Sequence, residues 1–228
     1  KQLQEVHAKL EHQEPLQDEK ESRKPTKLDY VFICAGERDA LNCIGMGYTA
    51  VWMNSETAEL REKDINLLYR YAEKVINIPD IDETGVRMGI ERALKHWRLH
   101  TLLLPSWISN FKDRRGNKRK DLTDFCELSS RQEFDKLVGT AVQCQFWEKG
   151  KKKDSLEINT ISLLWYLRCC GFARIKDKNS PNERYVRIQG YRVKEYKAKE
   201  IRAFVKEQLR EQAVSIQIQR LYQDSKKT

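Results

Sequence analysis

Apolar residues in this chain come in short runs broken by glycines and charged segments, and their spacing alternates between strand and helix periods. Asp29–Ala35 (Asp-Tyr-Val-Phe-Ile-Cys-Ala) is a nearly continuous apolar run, as expected of a strand covered on both faces in a parallel sheet. Gly36 breaks it, and Glu37–Met46 reads as a helix with Ala40, Leu41 and Ile44 inward, ended by Gly47. Thr49–Met53 is a second short strand. Asn54-Ser55 then caps a polar helix reaching about Tyr71, with Leu60, Ile65, Leu68 and Tyr71 as its buried stripe. Lys74–Ile78 is a third strand. Thr84–Trp97 carries the clearest helical period, in Val86, Ile90, Leu94 and Trp97. His100–Leu104 is a fourth strand, stopped by Pro105. Strand–helix alternation at these lengths predicts a mostly parallel α/β sheet with right-handed crossovers and helices on its faces.

Beyond Pro105 the pattern changes. Ser129-Ser130 caps a helix over Gln132–Ala141 with Phe134, Leu137 and Val138 inward. Val142–Trp147 is largely apolar, and Lys149–Asp154 reads as a charged hinge. A helix over Thr160–Cys170, ended by Gly171, precedes strands around Phe172–Lys176 and Arg184–Ile188. The turn between them is Asn179-Ser180-Pro181-Asn182. A long helix from about Ala198 to Ile218 closes the series, with Ile201, Val205, Leu209 and Ile216 on one face. This order predicts an α/β domain over residues 28–145 and a smaller α+β domain over residues 146–228. Residues 1–27, rich in Gln, Glu and Lys, read as a linker or frayed helix leading in from an upstream domain.

Composition sharpens the second domain more than the first. The 228 residues are 39% apolar and 34% charged, no apolar run approaches the roughly 18 residues of a membrane helix, and no signal peptide opens the chain. We therefore expect a cytoplasmic protein away from membranes. The chain opens within a charged run at Lys1 and closes on Lys226-Lys227-Thr228, which reads as a segment of a longer protein. The net charge of +9 is unevenly placed. Residues 1–144 hold 23 basic and 24 acidic groups, whereas residues 145–228 hold 20 basic and 10 acidic groups. An excess confined to about 80 residues favours a polyanion partner, most simply nucleic acid. The six cysteines show no Cys-x-x-Cys spacing and read as reduced core thiols. Trp147 and Trp165 read as core. His96 and His100 stand four residues apart, but His100 already opens a strand, which argues against a shared metal.

The acidic residues carry the candidate chemistry. Asp80 and Asp82 leave the third strand two residues apart, before Gly85 and a helix. Paired carboxylates at the carboxyl end of a strand sit where open α/β sheets bind ligands, and they suit a hard cation such as Mg²⁺. Glu37 and Asp39 follow the first strand in the same way. Asp121 and Asp124 follow the fourth strand after a basic loop in which six of the nine residues Lys112–Lys120 are cationic. If the strands are parallel, all three clusters reach one edge of the sheet. No Gly-rich phosphate loop of the Walker or Rossmann type is present, which argues against ATP hydrolysis.

Residues 28–128 resemble the Toprim domain of bacterial primases, topoisomerases and some nucleases. The resemblance rests on Ala35-Gly36-Glu37-Arg38-Asp39-Ala40-Leu41, similar to Glu-Gly-x-x-Asp-x-Leu, and on Asp80-Ile81-Asp82-Glu83-Thr84-Gly85, which matches Asp-x-Asp-x-x-Gly in full. Lys120-Asp121-Leu122-Thr123-Asp124 is similar to a downstream primase pattern, Lys-Asp-x-Asn-Asp. The resemblance implies a Rossmann-like fold, Mg²⁺ or Mn²⁺ held by Asp80, Asp82, Asp121 and Asp124, and catalytic roles for Glu37, Asp80 and Asp82. Gly36, Asp39 and Gly85 would be structural. Lys112, Arg114, Arg115, Lys118, Arg119 and Lys120 would grip a single-stranded DNA template or a nucleoside triphosphate. The family glutamate falls on Ala35, so Glu37 or Glu56 would have to return a carboxylate. Asn42 and Asn54-Ser55-Glu56 resemble primase or primase-helicase proteins of Bacteroides-type mobile elements and phages, with a helicase region expected downstream. Three activities stay open: primer synthesis, a non-catalytic scaffold, and a metal-dependent nuclease.

Overall fold

The computed structural model describes residues 27–55, 57–150, 156–176 and 183–224. Its first half is a five-stranded sheet in the order β2-β1-β3-β4-β5, formed by β1 (Leu28–Cys34), β2 (Ala50–Trp52), β3 (Ala72–Ile78), β4 (His100–Thr101) and β5 (Val142–Gln143). The pairs β1–β2, β1–β3 and β3–β4 are parallel, and β5 alone runs antiparallel, against β4. Helices α1 (Glu37–Gly45), α2 (Glu62–Tyr71), α3 (Glu83–Lys95), α4 (Leu122–Leu128) and α5 (Arg131–Val138) complete this mixed α/β unit. The continuous apolar run in β1 has the consequence expected of it. Phe32 and Cys34 enter one core with Ile76, Leu102 and Phe134, while Val31 and Ile33 enter another with Ile65, Val75 and Leu99, so both faces of the sheet are covered.

Several helices are rotated or shifted from their apolar pattern. In α1 the buried residues are Asp39, Ala40 and Cys43, whereas Leu41 and Ile44 are about half exposed. A polar anchor for Asp39, described below, turns the helix away from its apolar stripe. Only Leu60 and Ile65 of the second stripe are buried. Tyr71 is exposed, and α2 starts at Glu62 rather than after Ser55. In α3 the face held closest is made of small residues, Gly85, Gly89 and Ala93, with Arg92. A Cβ on Gly89 would stand 3.0 Å from the Pro79 ring, so the close approach needs glycine there and leaves Val86 outward. β4 is only two residues long, because Pro105 and the 3₁₀ turn Ser106–Asn110 take the chain out of the sheet.

The second half contains a hairpin of β6 (Trp147–Lys149) and β7 (Leu156–Ile158), then α6 (Thr160–Cys169). An antiparallel sheet ordered β10-β9-β8 follows, from β8 (Phe172–Lys176), β9 (Glu183–Gln189) and β10 (Arg192–Tyr196), and then α7 (Ala198–Asp224). β10 and the short hairpin had no sequence expectation. Ile90 and Leu94 of α3, with Trp97 just beyond its end, pack into a cluster with Phe146, Trp165, Tyr166, Phe204 and Leu209, so the outer face of α3 carries the C-terminal part. Trp147 and Trp165 are buried there, and the Trp147 indole donates to Gln212 Oε1 at 3.1 Å. The expected leading segment, Glu56, most of the charged hinge and the turn at 179–182 lie outside the described residues. Among the described residues no helix is long and apolar enough to cross a membrane.

Gly171, which ends α6, has φ +86°, and a Cβ there would lie 2.1 Å from the Ile188 carbonyl oxygen. Gly116 has φ +85° but faces open space. Gly116→Ala should therefore cost about 1 kcal/mol, the left-handed backbone penalty alone. Gly171→Ala should cost at least about 3 kcal/mol, because β9 has to move as well. Urea unfolding of the two variants checks the difference.

Candidate functional site

The parallel strands β1 and β3 end side by side, with Cys34 opposite Ile78, so their following loops share one edge of the sheet. A third segment reaches that edge through backbone pairing: the Ile81 amide donates to the Lys120 carbonyl at 2.9 Å. The result is a cavity of about 320 Å³ lined by Ala35–Asp39, Asp80, Lys120 and Asp121. Among the described residues four carboxylates and two cationic side chains line it, a negative balance that favours a cation.

Asp82 is the N-cap of α3 and accepts from the Gly85 amide at 2.9 Å. Its other oxygen lies 2.5 Å from Lys120 Nζ, and Asp80 Oδ2 lies 3.3 Å from the same nitrogen. One ammonium thus sits between the two carboxylates, which converge on a single cation. Burial pushes the Asp82 carboxyl up, but the Lys120 ammonium and the Gly85 and Thr84 amides outweigh it and hold the group below the usual carboxylate range. The Asp82 hydrogen bond holds Lys120 above the usual lysine range against its partial burial, with Asp80 adding to the effect.

Asp39 lies 5% exposed, and its Oδ1 accepts from both the amide (2.9 Å) and the hydroxyl (2.6 Å) of Thr123. Asn42 Nδ2 donates to the same hydroxyl at 3.0 Å. These bonds fasten α1 to the start of α4 and explain the rotation of α1. Asp121 caps α4 in a reciprocal capping box with Asp124. Asp124 accepts from the Lys120 amide at 2.7 Å and lies 3.4 Å from Arg119, and it is not among the residues lining the cavity. Burial pushes the Asp121 carboxyl up, against the Asp124 amide that it accepts from, and the charges of Asp39 and Asp124 push the same way.

Of the residues singled out in the sequence, Gly36, Glu37, Asp39, Asp80, Asp121 and Lys120 line the cavity, with Asp82 at its Lys120 side. Ala35 lines it too, presenting a methyl group. Gly85 is buried in the first turn of α3. The basic segment is a small hairpin closed by a Lys112–Lys118 bridge, its tip fastened by Asp113, which accepts from the Arg115 and Asn117 amides. Lys112, Arg114, Arg115 and Lys118 are exposed on it. Arg119 differs: its guanidinium pairs with Glu127 at 2.6 Å and with Asp124, and its side chain is 11% exposed. Trp107 and Phe111, both more than 40% exposed and in edge contact, flank the hairpin. The run Trp-Ile-Ser-Asn-Phe after Pro105 was the available signal for them. His96 bonds the Leu60 carbonyl at 2.8 Å, while burial, then the Lys74 charge, pushes the His100 imidazole down to about 4.

The oxygen-only donors of Asp80, Asp82 and Asp121, with an ammonium already seated between the first two, fit a hard divalent cation. Among the described residues no three His, Cys, Asp or Glu side chains are grouped closely enough to form a ready metal cage. Lys120 would have to yield its place.

No protein-family model matches the chain, and no curated relative does. Among solved structures the chain is similar to a DnaG primase catalytic domain bound to single-stranded DNA, with 20% identity, TM-score 0.39, and 52% of this chain and 36% of that chain covered. It is also similar to a DNA primase domain from Pseudomonas aeruginosa, with 18% identity, TM-score 0.40, and coverage of 52% and 35%. The E. coli primase catalytic core gives 21% identity, TM-score 0.38, and coverage of 50% and 35%. The match spans about a third of the length of these domains.

A carboxyl whose folded pKa is raised destabilises the fold above that pKa, and the penalty fades as pH falls through it. Asp121→Asn keeps an N-cap side chain and removes the charge. We expect its Tm to exceed that of the wild type at pH 7, with the gap closing toward acid pH. An equal or lower Tm at pH 7 would show that Asp121 carries no electrostatic strain.

Proposed function

We propose that this chain is a primase-type nucleotidyl-transfer module whose acidic site holds a divalent cation, Mg²⁺ or Mn²⁺, and whose basic surfaces hold single-stranded DNA. One observation carries the reading: Asp80 and Asp82 converge on a single cation at the carboxyl edge of a parallel sheet, beside Asp121. The Asp-x-Asp-x-x-Gly motif of the Toprim resemblance falls on this pair. Asp80 and Asp82, with Asp121 beside them, would hold the cation. When bound, it supplies charge stabilisation for the oxygens attacking and leaving phosphorus. Asp124 would take part through the capping box that sets Asp121.

The protein's own groups account for the rest. The α3 cap fixes one face of Asp82, so its free oxygen stays aimed at the cation position. Asp39, through Thr123, holds α4 and therefore Asp121 against α1. Lys120, displaced from the acids, would turn its charge to a triphosphate, as would Arg38 at the rim, whose pairing with Asp121 at 3.5 Å is exposed and weak. Lys112, Arg114, Arg115 and Lys118 would grip the template by charge, with Trp107 and Phe111 as stacking surfaces. Glu37, at the start of α1, is the carboxylate that could serve as the acid–base group.

A second reading has its own observation. Ala35 puts a methyl group into the cavity where the resemblance calls for glutamate, and the Lys120 ion pairs already neutralise the acidic pair, as suits a non-catalytic scaffold. Template-dependent primer synthesis with Mg²⁺ or Mn²⁺ separates the two. Under the primase reading, Asp80→Asn/Asp82→Asn should lose at least about a hundredfold in rate, and Ala35→Glu should raise the rate. Primer synthesis that survives the double change contradicts the metal role. A protein inactive both as wild type and as Ala35→Glu supports the scaffold, and metal-dependent nicking of plasmid without nucleotides would point to a nuclease.

A further inference from the structure

The C-terminal half contains a second concavity, far from the acids in sequence and opposite in charge. It is a cleft of about 640 Å³ between α6, the β8–β9 strands and the first turns of α7. Its rim carries Arg168, Arg174 and Arg202, and its floor is formed by Phe172, Tyr185 and Ile201. Among the described residues no acidic side chain lines it. All three arginines are exposed, and only Arg174 has a carboxylate partner among the described residues, Glu183 at 3.0 Å. Leu164, on the α6 wall, is 62% exposed. Nothing in the packing requires an apolar cleft to be edged by three cations from three different elements.

We propose that this cleft holds a segment of single-stranded nucleic acid, with phosphates on the arginines and a base against the apolar floor. The proposal deepens the functional reading above and rests on its view that nucleic acid is the partner. Charge complementarity selects the occupant: residues 145–228 hold twenty basic and ten acidic groups, and the cleft gathers three of the cations with no acid among its lining residues. A flat base suits a floor containing two aromatic rings, and such a site tolerates any base because every base has a π face. An acidic peptide would match the charge but would leave the flat apolar floor unused. The floor is also held in place. Phe172 packs edge-on against Tyr196 and tilted on Phe204, and the Arg187 guanidinium lies over the Phe172 and Phe204 rings.

The test is fluorescence anisotropy of a labelled oligothymidylate of about twelve nucleotides, titrated with the full 228-residue chain at several salt concentrations. Arg168→Gln/Arg202→Gln removes two exposed charges without touching the core. It should weaken binding at least tenfold and flatten the salt dependence by about two phosphate contacts. Tyr185→Leu should weaken binding and leave the salt slope unchanged. Circular dichroism checks that each variant is folded. Wild-type affinity in the folded double variant would overturn the proposal. So would displacement of the oligonucleotide by an equal concentration of a glutamate-rich peptide of the same length. Primer synthesis by Asp80→Asn/Asp82→Asn is read in a separate assay that reports on the acidic site alone, so the cleft and the acidic site can fail separately.

Discussion

The site depends on one electrostatic constraint: two carboxylates held close together at the end of a sheet need a cation between them. Asp80 lies two residues beyond the end of β3, and Asp82 is held by its cap bond to the first turn of α3. Like charges a few ångströms apart and partly out of water repel by several kcal/mol unless neutralised, by the Coulomb relation at intermediate dielectric (~20). Lys120 meets that need. It arrives from the segment that also brings Asp121, and the Ile81–Lys120 backbone bond keeps the two segments in register. The fold thus stores negative charge at one edge and covers it with a charge on a flexible stem, which a stronger cation could displace.

The same logic explains which parts of the molecule were legible in the sequence. The parallel sheet and its covered faces follow from continuous apolar runs such as Val31–Cys34, where periodicity alone suffices. The acid clusters could be placed on one edge because parallel strands all deliver their carboxyl ends to one side. Helix rotation was not legible. α1 turns on the Asp39–Thr123 bonds and α3 on the fit of Gly89 to Pro79, and both are contacts between segments distant in sequence or of residues too small to register as apolar. Lys120 was named as the head of the Lys-Asp-x-Asn-Asp-like pattern and as one of the cations gripping nucleic acid, with no acidic partner assigned. Only the third dimension shows that it faces Asp80 and Asp82 while Arg119 turns to Glu127.

The C-terminal half shows the opposite balance. Its excess of positive charge was plain, but β10 and the cleft depend on the pairing of β9 with β8 and β10 and on the packing of α6 and α7 beside them, which charge counts do not encode. Its core is continuous with the outer face of α3, through Trp97, Phe146 and Trp165. α3 is therefore the shared element: one end caps the acidic pair, and its outer face carries the basic part.

If the Asp80–Asp82 pair is a cation site, Lys120 occupies it by default and a divalent cation competes with its ammonium. Titration of Mn²⁺ followed by electron paramagnetic resonance measures this directly. The wild type should bind Mn²⁺, Lys120→Met should bind it more tightly because the competing ammonium is gone, and Asp80→Asn/Asp82→Asn should not bind it. Equal binding by all three proteins would contradict the account.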